Sequence, residues 1–346
     1  MRENPLRVAI AGCHRMALHT LTNHNFAAAF DAVPETQIVS VFDLGAETRS
    51  DFIKYWGEMP VYDDFAQMLS DVQPDIVCIA TRQTMHAEQI EQAAAAGVRG
   101  ILCDKPLATT LTESDHIVAA CRTHRVALAF GLDRRWQQPY QHLRQLIADG
   151  AVGQVKSVIV HGLPNLINHG CHWYDATLML LSDPEPVWLS GFVDDVSAEP
   201  PDSRRRLDPP GRGQVGLDNG IELYFTTDGG KKPAFDVLGT DGRLIILNDA
   251  AEAYLWSAPE DGQVNGLRSL DLPEHGENWP AGPAMVRDLV HAIENKTPTA
   301  CDTEQARRAT EIGFAFHLSH QQDGASISLP AMERTQSIPS FPWGNE

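Results

Sequence analysis

Three stretches of the chain hold residue types at spacings that chemistry uses. The apolar run Val8-Ala9-Ile10-Ala11 passes into Gly12-Cys13-His14-Arg15-Met16-Ala17. Between a strand and a helix, a G-x-G-x-x-G/A turn holds a pyrophosphate on backbone N–H groups at the helix N-terminus. The second glycine of that pattern, which lets the backbone approach the pyrophosphate, is His14 here. Its imidazole either closes the turn or points to solvent while the loop shifts slightly. Asp43 ends the run Val41-Phe42-Asp43. A carboxylate there accepts hydrogen bonds from both hydroxyls of an adenosine ribose and repels a 2′-phosphate, which favours NAD over NADP. The competing reading is an N-cap for the helix that follows. Asp104-Lys105-Pro106 follow Ile101-Leu102-Cys103, so the Lys105 ammonium projects from the carboxyl edge of a parallel sheet, where ligands bind. A lysine there orients a substrate hydroxyl; alone, it is also an ordinary surface lysine in an X-Pro turn. His169-x-x-His172 beside Cys171 offers two imidazoles and a thiol. Zinc sites need three or four fixed ligands, and with no further ligand at a diagnostic spacing no metal is expected.

The elements that must position these residues are legible as alternating patterns. Val8 to Ala11, Ile38 to Phe42, Ile76 to Ile79, Ile101 to Cys103 and Val126 to Phe130 are short, almost wholly apolar runs separated by helical stretches. Such runs mean a parallel sheet covered on both faces, a doubly wound α/β domain. Ala87 to Ala96 ends at Gly97, and Thr112-Glu113-Ser114-Asp115 opens a helix that ends near His124. After residue 132 the pattern changes: Pro139 to Ala148 reads as a helix, and strands then follow one another at Val155 to Val160, Val187 to Val193, Gly220 to Phe225, Phe235 to Leu238 and Leu244 to Leu247. This half predicts an α+β domain with a largely antiparallel sheet. The expected boundaries are therefore 1–132 and 133–346. Glu199 to Gly213 predicts a long surface loop, its Arg204-Arg205-Arg206 run a solvated face. Arg204 to Arg206 and Lys231-Lys232 also have the charge to hold an acidic substrate group. Pro283 opens one late helix and Asp302 or Thr303 another.

Composition bounds the partners. A chain of 346 residues predicts about two domains, and 43% apolar with 21% charged residues is a globular composition. Against 27 Lys and Arg stand 46 Asp and Glu, a net charge of −19, which repels nucleic-acid phosphates and anionic lipid headgroups. Neither nucleic acid nor membrane is an expected partner. Val8 to Gly12 is too short for a signal segment or a membrane span, and the six cysteines form no C-x-x-C pair. Reduced thiols in the cytoplasm are the expectation.

Together the motifs resemble the Gfo/Idh/MocA oxidoreductase family over nearly the whole chain. Gly12-Cys13-His14-Arg15-Met16-Ala17 is similar to the family's G-C-G-R-M-G turn, and Ile79-Ala80-Thr81 with His86 to its A-T-P-N-x-x-H segment. Cys103 to Ala108 resembles E-K-P-L-A with Asp104 for Glu, Gly131 to Arg135 resembles G-F-N-R-R, and Ile147 to Gly153 resembles the I-x-x-G-x-I-G link into the second domain. The most specific likeness is Asn168-His169-Gly170-Cys171-His172-Trp173-Tyr174-Asp175 to the catalytic D-x-G-x-H-x-x-D. A helix starting just after Asn168 would align residues 168, 172 and 175 along one face. Trp173, Ala176, Thr177 and Leu180 would then pack into the domain.

The resemblance implies an N-terminal Rossmann domain and a C-terminal α+β domain with a large, mostly antiparallel, open-faced sheet. It implies an NAD-dependent oxidoreductase moving a hydride between nicotinamide and a secondary hydroxyl or carbonyl of a sugar, polyol or sugar acid. Gly12, Cys13, His14, Arg15, Met16, Asp43, Thr81, Arg82, Gln83, His86, Asp104 and Lys105 would line the cofactor groove. Lys105, Arg135, Trp136, Asn168, His172 and Asp175 would line the substrate side, Trp136 either stacking on a sugar or lying in the core. An imidazole near neutrality suits removal of a hydroxyl proton as hydride leaves, so His172 is the candidate general base. Lys105 would stabilise developing alkoxide charge, and Asp175 would bind a neighbouring hydroxyl or orient the ring. Asn168 replaces the family's Asp and cannot stabilise an imidazolium by charge, which lowers the basicity expected of His172; a plain N-cap is its other reading. Arg82-Gln83 replace the family's Pro-Asn. The departures at 14, 82, 83 and 168 leave a second reading, a catalytically altered member that binds a sugar or dinucleotide as a regulator. Relatives pair through the open sheet face, so a homodimer or homotetramer is implied.

Overall fold

The computed structural model describes residues 4–17, 25–200, 203–230, 232–257 and 266–338. Its first stretch lays down β1 (Leu6–Ala11), α1 (Phe26–Asp31), β2 (Thr36–Phe42), α2 (Ala46–Trp56), β3 (Val61–Tyr62), α3 (Phe65–Val72), β4 (Ile76–Ile79), α4 (Gln83–Ala95), β5 (Gly100–Cys103), α5 (Leu111–His124) and β6 (Ala127–Phe130). The six strands are parallel in the order β3-β2-β1-β4-β5-β6, the doubly wound Rossmann arrangement with its reversal between β1 and β4. Val8, Ile10, Val77, Ile79, Ile101 and Leu102 are fully buried, as an apolar run covered on both faces requires. The α5 start is a capping box: Thr110 accepts from Glu113 N, and the Glu113 side chain returns the bond to the Thr110 backbone.

The chain then builds α6 (Gln138–Ala148), β7 (Val155–His161), α7 (Gly170–Leu180), β8 (Pro186–Val193), α8 (Arg204–Leu207), β9 (Gly211–Leu217), β10 (Glu222–Phe225), β11 (Ala234–Gly239), β12 (Gly242–Leu247), β13 (Glu252–Ser257) and β14 (Arg268–Ser269). After α9 (Ala281–Asn295) and α10 (Thr303–Gln321), β15 (Ile327–Ser328) completes a nine-stranded sheet, β14-β13-β12-β11-β7-β10-β9-β8-β15. Its pairs are antiparallel except where β10 meets β7. One face is core: Tyr140 of α6 packs on Phe235, Tyr174 of α7 on Phe225, and Phe225 on Phe316 of α10. The other face carries half-buried Ile159, Ile245 and Tyr254 and exposed Tyr224, the alternation of a sheet covered on one side only.

By contacts, residues 4–136 and 276–307 form one compact unit, and 137–275 with 308–338 form the other. A single cut at 132/133 therefore does not describe the chain. The return has a physical cause: Phe130 N donates to Cys301 O at 2.9 Å and the Thr299 hydroxyl to Leu128 O, so residues 299–301 close the β6 edge. Alongside, Leu289 and Ile293 of α9 pack over Gly100, where any side chain would collide with Ile293. The expected loop over Glu199 to Gly213 is also corrected. It holds the short α8, a fully buried Asp208 and the start of β9, whose partners β8 and β10 lie elsewhere in the chain. Arg206 donates to Glu199 O within the segment, and Lys231 lies outside the described residues. Among the described residues no helix is long and apolar enough to cross a membrane.

Candidate functional site

In the first unit the site residues gather at the carboxyl ends of β1, β2, β4 and β5. Gly12 has φ +83°, and a Cβ there would lie 2.5 Å from Ala80 C and O and 2.6 Å from Thr81 N. The turn after β1 is thus laid directly on the turn after β4, and only glycine permits it. Cys13 N donates to Asp43 Oδ2 at 3.0 Å, and Gly45 N donates to Asp43 Oδ1 at 2.9 Å. The Asp43 carboxylate therefore pins the glycine turn to the end of β2. It does not cap α2, whose N-cap is Gly45. Each carboxylate oxygen keeps acceptor capacity beyond its one backbone partner, which two ribose hydroxyls require. The buried Cys13 thiol lies 3.7 Å from Asp43 Oδ2, and burial, then the Asp43 charge, push its pKa up, so it is no nucleophile.

Residues 18–24, over which the helix after the turn is expected, lie outside the described residues. His14, Arg15 and Met16 make one 3-10 turn, and among the described residues the next helix begins at Phe26, capped by Asn25. His14 and Arg15 are exposed, whereas Met16 is buried and its carbonyl accepts from Trp56 Nε1. Thr81 Oγ1 is 2.6 Å from Gln89 Oε1, Arg82 is exposed, and Gln83 is buried at the start of α4. His86, expected in the cofactor groove, is buried. It is 1% exposed, with Nδ1 2.9 Å from Pro106 O and Nε2 3.2 Å from Thr81 O, a strut between the ends of β4 and β5. Burial holds its pKa down, against the opposite pull of the Asp104 charge and of the Thr81, Pro106 and Leu107 backbone. Asp104 Oδ1 accepts from Lys105 N at 2.8 Å, which sets the turn that presents half-buried Lys105.

Of the two readings of Trp136, its burial fits the core one, and Arg135 is buried beside it. Trp136 is buried in the first unit, its Nε1 donating to Asp288 Oδ2 at 3.0 Å, and buried Arg135 donates to Ala300 O at 3.1 Å. Both fasten the returning segment.

In the second unit α7 carries His172 and Asp175, and every residue from Gly170 to Leu180 is buried. Site stripe and packing stripe are therefore alike in exposure, because this helix is enclosed all round. Asn168 lies outside the helix and does not cap it; the N-cap is His169. Asn168, His172 and Asp175 are 1%, 6% and 1% exposed. His169 N donates to Asn165 Oδ1 at 2.7 Å, and His169 O accepts from His172 N at 2.9 Å. Among the described residues no three His, Cys, Asp or Glu side chains gather as a metal site. The sequence reading missed Asp208, which accepts the N–H groups of residues 166 to 168; the Asp-Pro step at 208–209 signals a turn but not its partner.

Residues 6–132 match the family described as "Oxidoreductase family, NAD-binding Rossmann fold". A D-apiose dehydrogenase of Paraburkholderia graminis is 36% identical over 131 residues, 38% of this chain and 35% of that protein. A D-glucoside 3-dehydrogenase of Escherichia coli is 26% identical over 203 residues, 53% of this chain and 56% of that one. The chain thus spans between about a third and just over half of these relatives' lengths. In fold, it is similar to an oxidoreductase from Agrobacterium radiobacter solved with NAD+, L-tartaric acid and magnesium, with a TM-score of 0.77 at 18% identity over 95% of this chain and 100% of that one. With the glycine turn, Asp43 and Lys105 at the edge of a Rossmann sheet, it is residues 6–132 that match the Gfo/Idh/MocA oxidoreductase family, over its NAD-binding domain.

Proposed function

We propose that the chain is an NAD-dependent oxidoreductase moving a hydride between nicotinamide and a secondary hydroxyl or carbonyl of a sugar, polyol or sugar acid. The observation that carries this reading is the sheet edge where the Gly12 turn, the twice-bonded Asp43 carboxylate and Lys105 follow β1, β2 and β5. The sugar dehydrogenases similar to this chain supply the substrate class. Asp43 repels a 2′-phosphate, so NAD is favoured over NADP.

The nicotinamide supplies the hydride chemistry when bound. In the oxidising direction His172 takes the hydroxyl proton, and Lys105 donates to the oxygen that gains negative charge. Asp175 holds a neighbouring hydroxyl or orients the imidazole, and Asn168 orients through its amide without adding charge. The six cysteines are free thiols, which fits the reducing cytoplasm, and the open sheet face fits a homodimer or homotetramer.

The test is calorimetric titration with NADH and, separately, NADPH, followed by a screen of sugars and polyols. Micromolar NADH binding, weaker NADPH binding and turnover of a polyol are expected. Binding of neither dinucleotide overturns the hydride reading and leaves the regulatory binding protein, which the departures at His14 and Asn168 favour.

A further inference from the structure

We infer that Asp208 is the positioning residue of the substrate side, holding the strip of residues 166–168 from which α7 starts and so fixing where His172 stands. The inference rests on the reading of His172 as proton acceptor. Asp208 follows α8 and is fully buried. Its Oδ1 accepts from Leu166 N at 3.1 Å and Ile167 N at 3.0 Å, and its Oδ2 accepts from Asn168 N at 2.8 Å. Leu166 N also reaches Pro209 O at 3.0 Å. Three consecutive backbone donors thus converge on one carboxylate, which has acceptors only.

The hold is passed on step by step. Leu166 O accepts from the Tyr174 hydroxyl at 3.1 Å, Asn168 O accepts from the Cys171 thiol at 3.3 Å, and His169 O accepts from His172 N at 2.9 Å. The first two bonds tie the strip to the first turns of the helix that bears His172 and Asp175, and the third starts from His169, the residue next to it. The family motif has a carboxylate at position 168, and this chain has an amide. Here a carboxylate instead reaches the backbone of residue 168 from position 208. The Asp208 charge is felt inside α7, where it adds to burial in raising the pKa of Tyr174.

Asp208→Asn tests this, because it keeps the shape but sets an amide N–H group against at least one backbone donor. The first readout needs no substrate: amide hydrogen exchange at Leu166, Ile167 and Asn168 speeds up about tenfold or more. The second is kcat on the polyol found in the screen, which falls about 10- to 100-fold, while the NADH dissociation constant stays within about twofold because the dinucleotide turn lies in the other unit. Unchanged exchange and kcat overturn the inference. So does a parallel loss of NADH affinity and kcat, the mark of general unfolding. If Asp208→Asn does not fold, exchange in the unaltered protein decides: protection of the three amides like that of α7 supports the hold, and exchange as fast as in residues 195–199 overturns it. If no polyol is turned over, the hydride reading fails by its own test and the exchange measurement still decides what Asp208 holds.

Discussion

Gly12→Ala puts the geometry of the dinucleotide turn to a quantitative test. Two separate costs arise at this position. An L side chain held at φ +83° costs about 1–3 kcal/mol. The new Cβ also lies 2.5 Å from the Ala80 carbonyl, and because the neighbour is backbone rather than a flexible side-chain tip, the forced shift costs about 1–3 kcal/mol more. The expected loss is therefore about 2–6 kcal/mol, a large part of the roughly 5–15 kcal/mol that holds a protein folded. Gly97→Ala is the control, since Gly97 has φ +87° but nothing within 4 Å of its Cβ position, so it carries the conformational cost alone. The assay is denaturant unfolding of both variants followed by circular dichroism, with NADH calorimetry on each. Gly12→Ala should be less stable than Gly97→Ala by about 1–3 kcal/mol and should bind NADH at least about tenfold more weakly, because the β1 and β4 turns must part. Equal stabilities for the two variants, with NADH affinity retained, would refute the argument that the Ala80–Thr81 contact demands glycine.

Other perturbations separate chemistry from packing. Lys105→Ala and His172→Ala should each lower polyol turnover by at least about 100-fold with circular dichroism unchanged; full activity in either removes that residue from the mechanism. Trp136→Phe should cost about 1–3 kcal/mol, by losing the bond to Asp288, and leave the KM for the polyol unchanged; a tenfold rise in KM at unaltered stability would restore Trp136 as a sugar platform. His317 on α10 is held down from 6.5 to about 4, by burial first and the His320 charge second. The folded state thus refuses a proton that the unfolded chain accepts, so this contribution is complete above pH 6.5 and is lost as pH falls toward 4, by at most about 3 kcal/mol. His317→Gln should flatten that acid limb in a stability profile, and a limb parallel to the unsubstituted protein's would show that His317 is not its source.

The Rossmann half was legible because its signals are local. Strands β1, β2, β4 and β5 are short apolar runs, and Asp43 and Lys105 stand at their ends, where a parallel sheet presents ligand-binding groups. What stayed hidden depends on partners far along the chain. Trp136 looks identical as a sugar platform or a fastener until Asp288, 152 residues away, is seen to accept its N–H. Asp208 sits among arginines and prolines with no alternation to mark β9 after it, and its donors lie 40 to 42 residues upstream. Glycine-rich β9 pairs with β8 and β10 through its backbone, which hydrophobic periodicity cannot report.

Two of the departures in the motifs, His14 and Asn168, differ in kind once the backbone is known. In a G-x-G turn both glycines look equally necessary from sequence, yet only one is demanded here by the fold itself. Gly12 has left-handed φ and no room for a Cβ; position 14 is exposed and has no positive φ, so His14 stands there without backbone strain. Any cost of that imidazole is therefore confined to the bound dinucleotide, and it must show in NADH affinity and not in the stability of the free protein. Asn168 is the reverse case. It is 1% exposed, and its backbone N–H lies on the Asp208 carboxylate at 2.8 Å, so the amide for carboxylate exchange bears on the placement and charge of the α7 entry. His14→Gly is therefore expected to change NADH affinity and Asn168→Asp to change kcat, and calorimetry and kcat measured on the two variants separate them.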